Sequence, residues 1–129
     1  MATFPLRTSR LSRAFLAPLA PRVPTATIRG DRVEVRMGLL GRADVPLERV
    51  AAAGTMRWPW WGGVGVRIAR GMVAFVASSG PIAVLDLTEP LAVRAPLRWQ
   101  ARRIGVGAED LDGFLAAVAA ARGADAPPD

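Results

Sequence analysis

Residues 25–37 alternate apolar and polar side chains on both sides of Gly30-Asp31. Ala26 and Ile28 alternate with Thr25, Thr27 and Arg29, and Val33, Val35 and Met37 alternate with Arg32, Glu34 and Arg36. A period of two puts every second side chain on one face of a strand, and a two-residue link led by Gly is the chemistry of a type II′ hairpin turn. The turn sets the register: Ile28 faces Val33 and Ala26 faces Val35 on one side, while Thr27 with Glu34 and Thr25 with Arg36 share the other.

The same period continues downstream. Gly38-Leu39-Leu40-Gly41 turns the chain into a strand with Val45, Leu47 and Val50 inward, and Pro46, which cannot donate to a ladder, marks an edge or an end. Residues 50–57 are expected as a fourth strand. Val64, Val66 and Ile68 alternate in a fifth, Arg70-Gly71 turns into Met72 to Ala77, and Ser78-Ser79-Gly80 turns into Ile82 to Leu87. Segment 88–101, with Pro90 and Pro96, reads as a long irregular connection before a short strand, Arg103 to Val106. The period then changes. Leu111, Phe114, Leu115 and Val118 recur at helical spacing, behind Glu109, Asp110 and Asp112, which suit the positive end of a helix dipole. Gly107 is expected as the N-cap and Gly123 as the stop, so the helix is expected near 108–122. Only one face of it is apolar, and that face must lie on the preceding strands.

A length of 129 residues suits one domain. The division expected is a basic N-terminal segment over 1–21, the folded domain over 22–123 and a disordered tail over 124–129. The longest uncharged run, 71–85, is broken by Ser78-Ser79-Gly80-Pro81 and is too short to cross a bilayer. The net charge of +6 is unevenly placed: residues 1–30 hold five Arg and no acid, whereas residues 31–129 hold twelve Arg against eleven acids, a balance of +1. A duplex-binding protein concentrates positive charge on its docking face, so no nucleic-acid partner is expected.

The run Asp31-Arg32-Val33-Glu34-Val35-Arg36-Met37-Gly38, the stretch Val45-Pro46-Leu47-Glu48-Arg49-Val50, the segment Trp60 to Arg67 and the close from Ile104 to Phe114 together resemble small bacterial proteins of the pleckstrin-homology-like (PH-like) class, over roughly residues 22–120. Those proteins often carry Ser and Pro where this chain has Gly107 and Leu111. The resemblance implies a mainly β fold with one C-terminal helix: an antiparallel roll or barrel of about seven strands closed by that helix. It implies a binding or scaffolding role of unassigned ligand.

The chain contains no His, Cys, Lys, Tyr or Asn. Imidazole bases, thiolates, Schiff-base lysines and the usual ligand sets for zinc or haem are therefore missing, and the ten Ser and Thr hydroxyls have no His or Lys to activate them. Glu109-Asp110-Asp112 is the one acidic cluster, and its place at a helix start accounts for it. No catalytic residue, metal site or cofactor is expected. The codons of the missing Lys, Asn and Tyr are AT-rich, which fits a GC-rich, bacterial genome.

Two segments are candidate contacts. Arg57-Trp58-Pro59-Trp60-Trp61-Gly62-Gly63 gathers three Trp within four positions, and Trp and Arg dominate binding hot spots. With Arg67 it forms the candidate binding set for a protein or peptide partner; the competing reading is that the rings plug the end of the roll. In the N-terminal segment, Leu11 and Phe15 share a helical face while Arg7, Arg10 and Arg13 project away, the pattern of a short helix on an anionic membrane; the competing readings are docking on the domain or a loose terminus. The expectation is a non-catalytic binding module in the cytoplasm or at a membrane surface. The alternative is a carrier of a small hydrophobic ligand in a cavity between curved sheet and helix.

Overall fold

The computed structural model describes residues 2–9, 14, 18, 23–59, 65–69, 71–78, 80–95 and 97–125. Nine strands and one helix follow in the order β1 (Ala2–Pro5), β2 (Thr25–Arg29), β3 (Arg32–Met37), β4 (Gly41–Pro46), β5 (Val50–Trp58), β6 (Gly65–Ala69), β7 (Met72–Val76), β8 (Gly80–Ala95), β9 (Leu97–Val106) and α1 (Leu111–Asp125). Short 3-10 turns at Gly38–Leu40 and Leu47–Arg49 flank β4. The molecule is mainly β with one C-terminal helix, as expected.

All nine strands join one open sheet, ordered β1-β2-β3-β4-β8-β9-β7-β6, with β5 paired to β8 beside that path. The β2–β3 hairpin has the expected register, Ala26 opposite Val35 and Ile28 opposite Val33, and Gly30 at the turn has φ +59°. Every second residue of β3, namely Val33, Val35 and Met37, is fully buried. Pro46 ends β4 as its missing N–H requires.

The structure corrects four expectations. First, the described residues hold nine strands rather than about seven, and one pair is parallel: β9 lies between β7 and β8, antiparallel to β8 and parallel to β7. All five residues of β7 are buried, as is Ile82 to Leu85 of β8, so both faces of this region are covered, the usual setting for parallel pairing. Second, residues 88–95 and 97–101 are strand, not irregular connection. Pro90 falls within the register shift between Asp86 and Leu91, and a bulge is a place where a sheet tolerates proline; Pro96 lies outside the described residues.

Third, residues 2–7 belong to the sheet although they fall in the segment placed ahead of the domain. β1 pairs with β2, Leu6 is 1% exposed, and Leu6 forms an isolated antiparallel bridge with Ala108 just past β9. The backbone N–H of Arg7 donates to the Gly107 carbonyl at 2.8 Å, and that of Glu109 to the Pro5 carbonyl at 2.9 Å. Fourth, α1 begins at Leu111 and runs through Gly123. Gly107 is not its cap: its N–H donates to the Phe75 carbonyl at 3.0 Å, extending β9 along β7. Asp110 caps instead, its Oδ1 accepting the Gly113 N–H at 3.1 Å, the usual Asp contact to the third helical residue.

The apolar face of α1 lies on the sheet as its period requires. Phe114 and Val118 are fully buried in the main core with Val33, Val35, Phe75, Leu85 and Ile104. Phe114 meets Phe4 of β1 edge to face, with centroids 5.6 Å apart and planes at 81°. A second cluster, Trp58, Met72, Ala74, Val76, Ile82 and Val84, occupies the other face of the β5–β8–β9–β7 region.

Candidate functional site

Among the described residues, the expected contacts Arg57, Trp58, Arg67 and Arg7 do not assemble into one surface. Trp58 ends β5, is 7% exposed and packs in the second cluster. Arg57 and Arg67 are both exposed, but β5 and β6 lie on opposite sides of β8, β9 and β7. They also face opposite ways: Arg67 stands opposite Ala74 of the second cluster, whereas Arg57 alternates with Trp58, which points into that cluster. Arg7 docks on the domain, its Nη2 donating to the Pro81 carbonyl, and the guanidinium lies over Gly80, whose missing side chain leaves the room. The candidates Trp60, Trp61, Arg10, Arg13 and Phe15 lie outside the described residues.

A different surface emerges from the register. Arg36 of β3 is opposite Arg42 of β4, Arg42 is opposite Arg94 of β8, and Arg94 is opposite Arg98 of β9. Residues directly opposite in a ladder share a face, so four arginines form one row across four neighbouring strands. Neighbouring strands stand ~4.8 Å apart, so the row is ~14 Å from end to end at the backbone. The face is the outer one, because the residues alternating with the row, Val35, Ala43 and Val93, are buried.

The charges of this row are unequally compensated. Arg36 is held in place: its Nη2 donates to Asp44 Oδ1 at 2.8 Å, and its Nη1 to the carbonyls of Val35 and Ala43 at 3.1 and 3.3 Å. Glu34, on the same face, pairs with Arg29 at 3.8 Å. Arg42, Arg94 and Arg98 are exposed and form no ion pair among the described residues. Like charges directly opposite destabilise a sheet, so this arrangement runs against the local rule that the rest of the fold obeys.

The row borders a cleft. Arg42 with Arg94 is the single pair that joins β4 to β8, and beyond it the strands diverge, leaving an open volume of about 390 Å³ lined by Arg42, Asp44, Val93, Arg94 and Arg98. Three guanidiniums supply up to fifteen N–H donors with no acceptor, a fork geometry matched to carboxylate, phosphate or sulfate oxygens. Among the described residues no three acidic side chains gather into a metal-binding group, and no helix is long and apolar enough to cross a membrane.

Sequence reasoning missed this row because it treated 88–101 as irregular. One signal was present: Val93-Arg94-Ala95-Pro96-Leu97-Arg98-Trp99 is symmetric about Pro96 in its apolar and Arg positions, as a hairpin with matched faces would be. No family model, curated protein or solved structure matches the chain.

Proposed function

We propose that this protein is a non-catalytic binding module of PH-like build whose ligand is anionic and is held along the outer arginine row. The strand-rich body with a single C-terminal helix laid across it supports the PH-like reading; the parallel β7–β9 pair departs from it. The single observation that carries the functional reading is the row itself: three exposed arginines that form no ion pair among the described residues, aligned by register beside an open cleft. The near balance of charge over residues 31–129 conceals it, because the compensating acids lie elsewhere, three of them at the start of α1.

The face offers Glu34, Asp44 and Gln100 beside the arginines and no aromatic ring among its described residues, so nothing on it would stack a nucleic-acid base. The space between helix and sheet is occupied by Phe114 and Val118, both fully buried, so the described cleft lends the hydrophobic-carrier reading no support. The test is binding of inorganic polyphosphate to the full chain. Arg94→Gln/Arg98→Gln should weaken binding at least tenfold, whereas Arg29→Gln/Arg32→Gln, which removes equal charge from the β2–β3 turn, should change it less than threefold (both of order-of-magnitude precision). Equal effects of the two pairs would reduce the attraction to net charge and overturn the reading.

A further inference from the structure

The arginine row has a second feature on one side of it. The β3–β4 turn, with Leu39 at its centre, starts two residues past Arg36, and the last pair of the β8–β9 hairpin, Ala95 with Leu97, is one residue past Arg94. Since β4 and β8 are paired at Arg42 and Arg94, the two turns lie on the same side of the row. Thr25 of β2 is opposite Arg36, so Val23 also lies past the row on that side. Leu39 is 74% exposed and Val23 44%, and these are two of the five large exposed apolar side chains among the described residues.

Resting on the anion-binding reading above, we propose that the ligand is the surface of a lipid bilayer containing anionic lipids, met end-on by these two turns. Leu39 and Val23 enter the boundary between headgroups and acyl chains. Arg42, Arg94 and Arg98 stand one to two residues behind the tips. Their long side chains reach forward along the apolar surface to the lipid phosphates, which supply the missing counterions. Charge complementarity selects this occupant over an acidic protein. An acidic protein would satisfy the arginines but would leave Leu39 standing in water beyond the row, whereas a bilayer presents phosphate and hydrocarbon in that order along the direction in which the molecule presents Arg and Leu. The contact is small, so it is weak and reversible, a peripheral attachment rather than an insertion.

The experiment is co-sedimentation of the full chain with vesicles of phosphatidylcholine alone or with about a third phosphatidylglycerol, beside polyphosphate binding by the same proteins. The wild type should bind the anionic vesicles and not the neutral ones. Arg94→Gln/Arg98→Gln should lower the vesicle partition about 25-fold, at about fivefold per arginine. Leu39→Ser changes no charge and removes no core contact; it should lower vesicle partition about tenfold and leave polyphosphate binding intact. Polyphosphate binding without vesicle binding would overturn the bilayer and assign the row to a soluble anion or acidic partner. Wild-type vesicle binding by Leu39→Ser would likewise overturn it, and loss of both activities in the wild type would remove the anion-binding reading as well.

Discussion

Arg42 and Arg94 face one another as the one residue pair that joins β4 to β8. Like charges directly opposite are unfavourable in a ladder, and the neighbouring β8–β9 ladder carries the favourable arrangement, Asp86 opposite Arg103 at 2.7 Å. Two arginines opposite one another cost stability, and they line the cleft beside them. An anionic ligand converts that cost into affinity, since it neutralises side chains whose backbones are already fixed.

The repulsion is itself measurable. Arg94→Thr should stabilise the unliganded protein by about 0.2–1 kcal/mol in urea unfolding at low salt. The gain should fade at about 1 M salt, where the Debye length drops to ~3 Å. A destabilised variant at low salt would mean that Arg94 already has a counterion.

The first strand is part of the fold rather than an appendage. Leu6→Ala should cost about 2–5 kcal/mol in chemical denaturation, the range for emptying a fully buried Leu site. In a double-mutant cycle, Phe4→Leu with Phe114→Leu should show a coupling of about 0.5–1.5 kcal/mol for the edge-to-face pair. A cost under about 1 kcal/mol for Leu6→Ala would show that residues 2–7 do not dock as described.

Why these residues escaped sequence reading is instructive. Ala2 to Pro5 is a four-residue strand ending in Pro, ahead of an arginine-rich stretch, and neither its length nor its composition announces pairing. Its partner was legible, because Ala26, Ile28, Val33 and Val35 keep strict alternation around a Gly-led turn. β7 was legible as an unbroken apolar run between turn residues, and α1 through a helical period sustained over two turns. The arginine row was not, because positions 36, 42, 94 and 98 meet only through the register of four strands, one of which passes Pro90 at a bulge. A proline reads as a break until the ladder shows where the sheet absorbs it.

Two glycines of adjacent β structure should respond with opposite sign. A side chain at Gly54 on the exposed β5 meets nothing within 4 Å, so Gly54→Ala should stabilise by about 0.4–1 kcal/mol through the unfolded chain. At Gly105 on β9, an added Cβ would lie 3.1 Å from both Ala74 Cβ and Ile82 Cδ1. Gly105→Val should therefore cost about 1–3 kcal/mol by overpacking. Equal melting shifts for the two variants would contradict the described packing of the second cluster.

The helix start offers a further check on its corrected position. Asp110→Ala should cost about 1 kcal/mol, while Asp110→Asn, which caps comparably, should cost little. Gly107→Ser, placed at the cap expected from sequence, should not compensate for Asp110→Ala.

The central claim is that Arg42, Arg94 and Arg98 act together on an anion. The salt dependence of polyphosphate affinity tests it most directly, because each arginine engaged releases counterions and steepens the plot of log affinity against log salt. Arg42→Gln/Arg94→Gln/Arg98→Gln should flatten that slope by about one unit per arginine, and Arg29→Gln/Arg32→Gln/Arg57→Gln should leave it nearly unchanged. Equal flattening by both triple variants, or by neither, would contradict the account.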